Sequence, residues 1–248
     1  MTSPWAETEL RRDAFLGGRV HLWQPVRGYR AGVDPVLLAA AVPAQAGQSV
    51  LDLGCGSGAA GLCLAARVPG VLVTGLERQA GYAALAVRNG MDVVEGDVAA
   101  IPAALRARSF DHVIANPPYF DRAQGARALD AGREGAMGEE TPLEAWVDAA
   151  ARRLKHHGYA HFIHRPERLP DLACACQARL GSVEVLPLAP RARRAPSLIL
   201  VRARKGGRAP FRLHFPRILH RGDVHEADGD DYTAEFAGIF RAAAALEF

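Results

Sequence analysis

The pattern of apolar and polar positions predicts a regular alternation of strands and helices from residue 49 onward. Short apolar runs bounded by glycine or polar residues are typical of buried strands, whereas longer runs with apolar residues every three or four positions are typical of helices. The predicted strands are 49–53, 71–76, 91–95, 110–115, 159–163, 183–188 and 198–202, and the predicted helices are 59–67, 79–88, 141–154, 167–180 and one that begins at 232.

Four strand–helix units followed by two strands with only a short loop between them predict one mostly parallel sheet with an antiparallel pair of strands at its edge. We therefore expect an α/β protein with a Rossmann-like twisted sheet and helices on both faces. Residues 1–48 are expected to form an N-terminal extension, residues 49–204 the core, and residues 205–248 a basic C-terminal extension that packs on the core within a single domain.

The N-terminal extension carries two local signals. Gly17-Gly18 lies between two short alternating runs and predicts the turn of a β-hairpin. Asp34-Pro35 precedes an apolar run and predicts the cap and first turn of a short helix over 36–42.

The composition, with 49% hydrophobic and 23% charged residues, is globular and excludes a disordered protein. No apolar run reaches the roughly 18 residues that a membrane helix needs, and the N-terminus lacks a signal-peptide pattern, so we expect a cytoplasmic protein without membrane contact. The four cysteines are too few for a disulfide scaffold. The cluster of histidines from His156 to His164 is divided by a glycine turn, and we expect no metal site.

The net charge is only +3, but the basic residues are unevenly distributed. Ten of the 30 lysines and arginines lie between Val185 and Gly222, among them Arg191, Arg193 and Arg194, and this segment contains no aspartate or glutamate. A basic segment on an otherwise acidic chain indicates a nucleic-acid-binding surface, although a solvated face of an arginine-rich protein is the simpler alternative.

A glycine-rich segment follows the first predicted strand of the core, with the sequence Asp52-Leu-Gly-Cys-Gly-Ser-Gly58. Glycines at this place let the backbone approach a ligand closely, and the next helix directs its N-terminus at the same point. Asp52 would repel the pyrophosphate of a dinucleotide, whereas a cationic amino acid would be attracted by its carboxylate. Gly54, Cys55, Gly56 and Gly58 are the candidate backbone contacts.

Carboxylates also follow the second and third predicted strands. Glu77 ends the second strand and suits a ribose diol, since a carboxylate accepts hydrogen bonds from both hydroxyls. Asp97, followed by Val98, ends the third strand and can accept a hydrogen bond from an adenine amino group. Each residue alone could simply cap a helix, but three carboxylates at successive strand ends predict one ligand crevice.

The fourth predicted strand ends in Asn116-Pro-Pro-Tyr119. The Asn116 amide oxygen and the Pro117 carbonyl can each accept one N–H of a planar amino group, and Pro118 has no competing amide. Tyr119, with Phe120 beside it, offers a ring on which an unstacked base can lie. With the glycine-rich segment and Glu77, this tetrapeptide resembles the class I S-adenosylmethionine-dependent methyltransferases that modify planar amino groups.

A closer resemblance extends over nearly the whole chain. The segment from Gln24 to Ala40, Leu186-Pro-Leu with the arginines after it, and Leu219-His near the C-terminus are similar to bacterial tRNA1(Val) adenine-N6-methyltransferases. The resemblance implies S-adenosylmethionine as cofactor and an anticodon-loop adenine of tRNA as substrate. It implies catalytic roles for Asn116, Pro117 and Tyr119, with RNA contacts from Tyr119, Phe120 and the three clustered arginines.

Other functions remain open at this point. The same tetrapeptide suits a side-chain amide, as in N5-glutamine methyltransferases that act on proteins. Those enzymes resemble this chain in the core but carry a longer helical N-terminal module, whereas 48 residues precede the first core strand here. An rRNA or DNA adenine is a further possible substrate, and an inactive nucleotide-binding regulator is a third class. The sequence does not determine the oligomeric state.

Overall fold

The computed structural model describes residues 5–121, 138–139, 141–223 and 231–248. The strands are β1 (Leu10–Phe15), β2 (Val20–Pro25), β3 (Ser49–Leu53), β4 (Leu72–Glu77), β5 (Asp92–Glu95), β6 (Phe110–Ala115), β7 (Phe120–Asp121), β8 (Gly138–Glu139), β9 (Leu154–His164), β10 (Glu184–Ala189), β11 (Leu198–Arg204), β12 (Arg212–Leu213) and β13 (Arg217–Ile218). The α-helices are α1 (Asp34–Ala40), α2 (Ala59–Arg67), α3 (Ala80–Arg88), α4 (Ala103–Arg106), α5 (Leu143–Arg153), α6 (Leu169–Arg179) and α7 (Ala234–Ala242).

Nine of the described strands form one sheet, in the order β5-β4-β3-β6-β9-β11-β10, with β12 and β13 both paired to the outer side of β10. β11 runs antiparallel to both of its neighbours, and the remaining pairs are parallel. The mostly parallel sheet with an antiparallel pair is therefore confirmed. β11 lies inside the sheet, between β9 and β10, and the outer edge is formed by β12 and β13.

The order of the strands creates a switch point beside β3. After β3 the chain moves to β4 and β5 on one side, and it then returns to β6 on the other side. The register pairs Leu53 with Ala115, so the carboxyl ends of β3 and β6 are level. A crevice at such a point, outside the carboxyl ends of the strands, is where open α/β sheets bind ligands.

Helices cover both faces of the sheet. On one face α1, α2 and α7 bury apolar side chains such as Leu37, Leu64 and Phe236 against β3 and β6. On the other face α5 and α6 bury Val147 and Leu172. The amide of Leu246 donates to the Ala40 carbonyl at 2.9 Å, so both ends of the chain pack on the same face of the core. The proposed boundaries at 48 and 204 stay predictions.

Local differences from the predictions have identifiable causes. β9 begins at Leu154, five residues before the predicted 159, and it accommodates His157 at φ +65 with a register shift opposite β6. Asp34 is the first residue of α1, and its side chain makes no cap hydrogen bond. No helix in the described part of the chain is long and apolar enough to cross a membrane.

Candidate active site

A cavity of about 620 Å³ opens at the carboxyl ends of β3, β4 and β6. The loops after these strands form its floor, and residues 26–35, between β2 and α1, form one wall. Trp146 of α5 and Arg165, which follows β9, complete the opposite side. Elements that are far apart in sequence therefore enclose one space at the switch point.

The glycine-rich loop is held against β4 and α5. The amides of Gly54 and Cys55 donate to the Leu76 carbonyl at 2.8 and 3.1 Å. Gly54 has φ +66, and a Cβ there would lie only 2.6 Å from Cη2 of Trp146. Only glycine fits here, because other residues rarely adopt this backbone conformation and their Cβ atom would collide with the Trp146 ring.

Asp52 and Glu77 lie side by side at the base of the cavity, almost fully buried. Asp52 Oδ2 accepts from the Gly61 amide at 3.1 Å, and Glu77 accepts from the amides of Gly56 and Gln79 at 2.9 and 2.8 Å. Burial raises the pKa of Asp52 to about 7, with a further contribution from Glu77, and burial likewise raises the pKa of Glu77. Their ionised forms are stabilised by a ligand that brings positive charge or hydroxyl donors.

The other predicted cofactor contacts are placed as follows. Asp97 and Val98 line the cavity, and Asp97 Oδ1 also accepts from the Ala99 amide at 2.8 Å. Cys55 lines the cavity but packs its sulfur against Gly75, which leaves its backbone as the accessible part. Gly58 lies at the N-terminus of α2 beside Met91 and does not line the cavity, and its contact with the cofactor stays a prediction.

Asn116 and Pro117 lie directly after β6 and line the cavity. The Oδ1 atom of Asn116 is buried and has no hydrogen-bond partner among the described residues. An unsatisfied buried acceptor costs about 1–3 kcal/mol, so this position favours a ligand with an N–H donor.

Tyr119 is fixed by residues from two other parts of the chain. Its hydroxyl donates to Asp34 Oδ2 at 2.6 Å, its ring contacts His164 at 5.1 Å between centroids, and the Arg165 guanidinium lies 5.7 Å from the ring centre. Burial raises the pKa of Tyr119 well above its ordinary value, so the hydroxyl remains a donor. For Phe120 only the backbone is described, and the prediction for its side chain lies outside the described residues.

Several wall residues were not found by sequence reasoning. Asp34 was interpreted only as a helix cap, and Tyr29, Trp146 and Arg165 were not singled out. Tyr29 is held through its amide, which donates to Tyr82 Oη at 2.8 Å, and its ring lies beside Gly56. The only signal was the resemblance of the segment from Gln24 to Ala40, which supplies the wall over residues 26–35.

The clustered arginines lie outside the cavity, after β10. They are not equivalent. Arg191 is half-buried in an ion pair with Asp231 and donates to the Arg221 carbonyl, whereas Arg193 and Arg194 are exposed. Arg191 therefore joins the loop after β10 to the C-terminal region, and Arg193 and Arg194 are the accessible charges.

The histidines do not form a metal centre within the part of the chain that is described, where no group of three or more potential ligands occurs. His112 and His161 instead form a buried pair, with Nδ1 of His112 3.2 Å from Nε2 of His161. They lie within the sheet, on β6 and β9, and do not line the cavity.

The sheet order, the glycine loop and the buried carboxylates at the strand ends define a class I S-adenosylmethionine-dependent methyltransferase. The chain belongs to the methyltransferase small domain family, whose model matches residues 31–166. The matched region includes residues 31–35 of the cavity wall, the glycine-rich loop and the segment from Asn116 to Tyr119.

Curated relatives and solved structures agree with this assignment. The chain is 31% identical over 243 residues to a tRNA1(Val) (adenine(37)-N6)-methyltransferase of Porphyromonas gingivalis, covering 92% of this chain and 93% of the relative. It is 30% identical over 223 residues to the protein of that name from Dickeya chrysanthemi, covering 86% of each. A solved structure described as a predicted O-methyltransferase from Agrobacterium tumefaciens has a TM-score of 0.67 at 29% identity, covering 87% of this chain and 99% of that one.

Proposed function

We propose that the protein transfers the methyl group of S-adenosylmethionine to the exocyclic N6 amine of an adenine in tRNA. The single observation that carries the proposal is the buried, unpartnered Oδ1 of Asn116 at the cavity. The curated relatives, which carry the name tRNA1(Val) (adenine(37)-N6)-methyltransferase, make the anticodon-loop adenine of that tRNA the favoured substrate.

The cofactor fits the buried carboxylates. Glu77 would hold the ribose hydroxyls, Asp97 the adenine amino group, and Asp52 the methionine ammonium. Glu77 already accepts backbone N–H groups, among them those of Gly56 and Gln79, but a carboxylate has about four lone-pair sites, so capacity remains for a hydroxyl donor. The backbone of Gly54, Cys55 and Gly56 and the side chain of Val98 would contact the remainder.

The substrate amine is held by two neutral acceptors. Asn116 Oδ1 accepts one N–H and the Pro117 carbonyl accepts the other, which pulls the nitrogen toward tetrahedral geometry and directs its lone pair outward. When bound, S-adenosylmethionine would supply an electrophilic methyl group to that lone pair, its C–S bond breaking to leave a neutral thioether, and the methylated amine then loses one proton to solvent. Catalysis rests on positioning and on exclusion of water, since a well-oriented pair of reactants needs no strong base.

The adenine must leave its stack to reach Asn116, and Tyr119 offers the surface that receives it. The hydrogen bond to Asp34 fixes the ring, so that a base can lie on it without a loss of side-chain freedom at that moment. Arg27 and Arg165 are exposed at the rim of the cavity, where they can contact the flanking phosphates.

The loop after β10 gives a second phosphate contact. β10 runs parallel to β6, so this loop emerges at the same edge of the sheet as Asn116, three strand spacings away, or roughly 14 Å. Arg193 and Arg194 are therefore close enough to contact the stem of the same RNA.

The test is methyl transfer from labelled S-adenosylmethionine to an unmodified tRNA1(Val) transcript, with the nucleosides identified by mass spectrometry. We expect N6-methyladenosine with the wild-type protein and none with Asn116→Ala, while calorimetry shows cofactor affinity within a few-fold of wild type. Label that appears in protein glutamine and not in RNA would establish the N5-glutamine alternative. Turnover by Asn116→Ala near the wild-type rate would exclude this mechanism of amine activation.

A further inference from the structure

A row of exposed apolar side chains follows the outer edge of the sheet. Phe211, Leu213 and Phe215 are 51%, 60% and 93% exposed, and we call them the edge ladder. Seven large apolar residues are strongly exposed in the described part of the chain, and the ladder accounts for three of them, including both phenylalanines. Isolated exposed apolar residues are common, but a contiguous group indicates an interaction surface.

Backbone pairing explains why the ladder faces outward. The amides of Arg212 and His214 donate to the Val183 and Val185 carbonyls at 2.9 and 2.8 Å, so these two residues turn toward β10. Their side chains contact Glu184, at 3.8 Å for Arg212 and 2.9 Å for His214. Because side chains alternate along a strand, Phe211 and Leu213 share the opposite face. Phe215 follows where the pairing with β10 shifts by one residue before Arg217.

The charge around the ladder identifies the occupant. Arg208 and Arg212 border the ladder, Arg217 follows it, and no acidic residue occurs between Val185 and Gly222. Arg212 lies 3.8 Å from Glu184 and Arg217 3.4 Å from Glu235, so both are partly neutralised, whereas Arg208 is exposed. A second copy of this edge would bring like charges together, which is unfavourable. Pro210 and Pro216 flank the ladder and limit strand pairing with another chain.

We propose that the edge ladder stacks unpaired bases of the RNA substrate, with the adjacent arginines on its phosphates. Aromatic side chains next to cationic ones are how proteins hold single-stranded nucleic acid. This inference rests on the proposed function, since it assigns a second contact to the same substrate. The ladder lies four strand spacings from β6, or roughly 19 Å, so the bases it holds are distinct from the adenine at Asn116.

The experiment measures the anisotropy of two fluorescein-labelled probes, the unmodified tRNA1(Val) transcript and an unstructured ten-nucleotide RNA. The full chain is compared with Phe215→Ser and Leu213→Ser, and Leu72→Ser is the matched control because Leu72 is a strand leucine that is 63% exposed. Loss of the Phe215 stack is expected to weaken binding about five- to 150-fold, the equivalent of 1–3 kcal/mol, and Leu213→Ser, which removes only an apolar contact, should weaken it less. Leu72→Ser should bind both probes like the wild type, and thermal melts establish that all variants fold.

The outcomes distinguish failure of the proposed role of the edge ladder from failure of the proposed methyl transfer to RNA. Wild-type affinity in Phe215→Ser and Leu213→Ser, with methyl transfer to tRNA intact, would overturn the ladder and leave the proposed function standing. Weakened RNA binding in these variants, in a protein that methylates no RNA, would support the ladder and overturn the proposed function. A wild-type dimer that Phe215→Ser converts to a monomer in sedimentation would assign the ladder to self-association and overturn its role toward RNA.

Discussion

Tyr119 donates its hydroxyl to the carboxylate of Asp34 at 2.6 Å, although 85 residues separate the two in the chain. The bond joins the loop after β6 to the start of α1, so one partly buried contact links two parts of the cavity lining. Asp34 is half-buried, and burial raises the pKa of its carboxyl group while the Tyr119 hydrogen bond lowers it.

Removal of the Tyr119 hydroxyl should therefore affect RNA turnover more than cofactor binding. Tyr119→Phe keeps the ring but leaves Asp34 without this donor, and a lost hydrogen bond to a charged group costs about 1.5–3 kcal/mol. We expect kcat/KM for tRNA to fall about ten- to 150-fold, with unchanged S-adenosylmethionine affinity by calorimetry. Asp34→Asn retains an acceptor and should be milder than Asp34→Leu. Equal effects of Asp34→Asn and Asp34→Leu would show that the hydrogen bond does not position the ring.

Loss of the Glu77 carboxylate should weaken cofactor binding. Glu77→Ala removes the proposed ribose contact together with the hydrogen bonds to Gly56 and Gln79, and we expect a loss of at least about 1.5–3 kcal/mol by calorimetry. Glu95→Gln is the matched control, because Glu95 is the exposed register partner of Glu77 on the next strand. Unchanged affinity in Glu77→Ala would exclude Glu77 from the ribose site.

The exposed arginines after β10 should determine the salt dependence of RNA binding. With three or four phosphate contacts, the slope of log affinity against log salt should be about −2 to −3.5. Arg193→Ala with Arg194→Ala should flatten this slope by about 1.5, because each phosphate contact contributes roughly 0.7–0.9. The rate at saturating RNA should be nearly retained, since phosphate contacts do not touch the chemistry. If the salt slope of RNA binding is unchanged in the double variant, the RNA does not contact the loop after β10.

Arg191 provides the contrast within the same cluster. Its ion pair with Asp231 is half-buried, so Arg191→Ala should lower the free energy of unfolding by about 1.5–3 kcal/mol. The salt slope should change little in comparison with the Arg193 and Arg194 variants. Urea unfolding measures the loss of stability, and fluorescence anisotropy of labelled RNA on the same preparations measures the salt slope. A change of the salt slope in Arg191→Ala without a loss of stability would contradict a structural role for Arg191.

The His112–His161 pair should make the fold sensitive to acid. Burial lowers the pKa of His112 from 6.5 to about 4, and burial, with a contribution from His112, lowers the pKa of His161 well below 6.5. The unfolded chain therefore binds protons first as the pH falls, and stability is lost between pH 6.5 and 4. At pH 5 the lowered pKa of His112 alone reduces the free energy of unfolding, relative to pH 8, by on the order of 2 kcal/mol.

Urea unfolding at pH 8 and pH 5 measures this loss. His112→Gln combined with His161→Gln should reduce the difference between the two pH values, even though the variant is less stable at pH 8. His21→Gln is the matched control because His21 is exposed, and it should behave as the wild type. A pH dependence that persists unchanged in the double variant would assign it to other groups.

The sheet and the cofactor side of the cavity were predictable because their signals are local. Buried runs such as 49–53 and 110–115 identify parallel strands, and Asp52 and Glu77 stand at strand ends, where parallel topology brings them together. β12 and β13 were not predicted because two residues each are too short to show a period.

The substrate side was predicted less completely because its contacts are long-range. Nothing adjacent to Asp34 indicates that its carboxylate reaches Tyr119 instead of capping α1. The predicted helix over 141–154 begins in the structure at Leu143, and the Thr141 carbonyl accepts from Trp146 Nε1 at 3.3 Å. The ion pair of Arg191 was likewise not predictable, since Asp231 lies 40 residues away in the chain.

The position of β11 between β9 and β10 has a consequence for synthesis on the ribosome. β10 is made first but cannot join the sheet until β11 has emerged to bridge it to β9. The strands that carry the cofactor residues are complete by residue 164, whereas the outer edge and the arginine loop assemble last. Because nascent chains fold from the N-terminus, the strands that form the cavity can assemble before the outer edge of the sheet and the arginine loop.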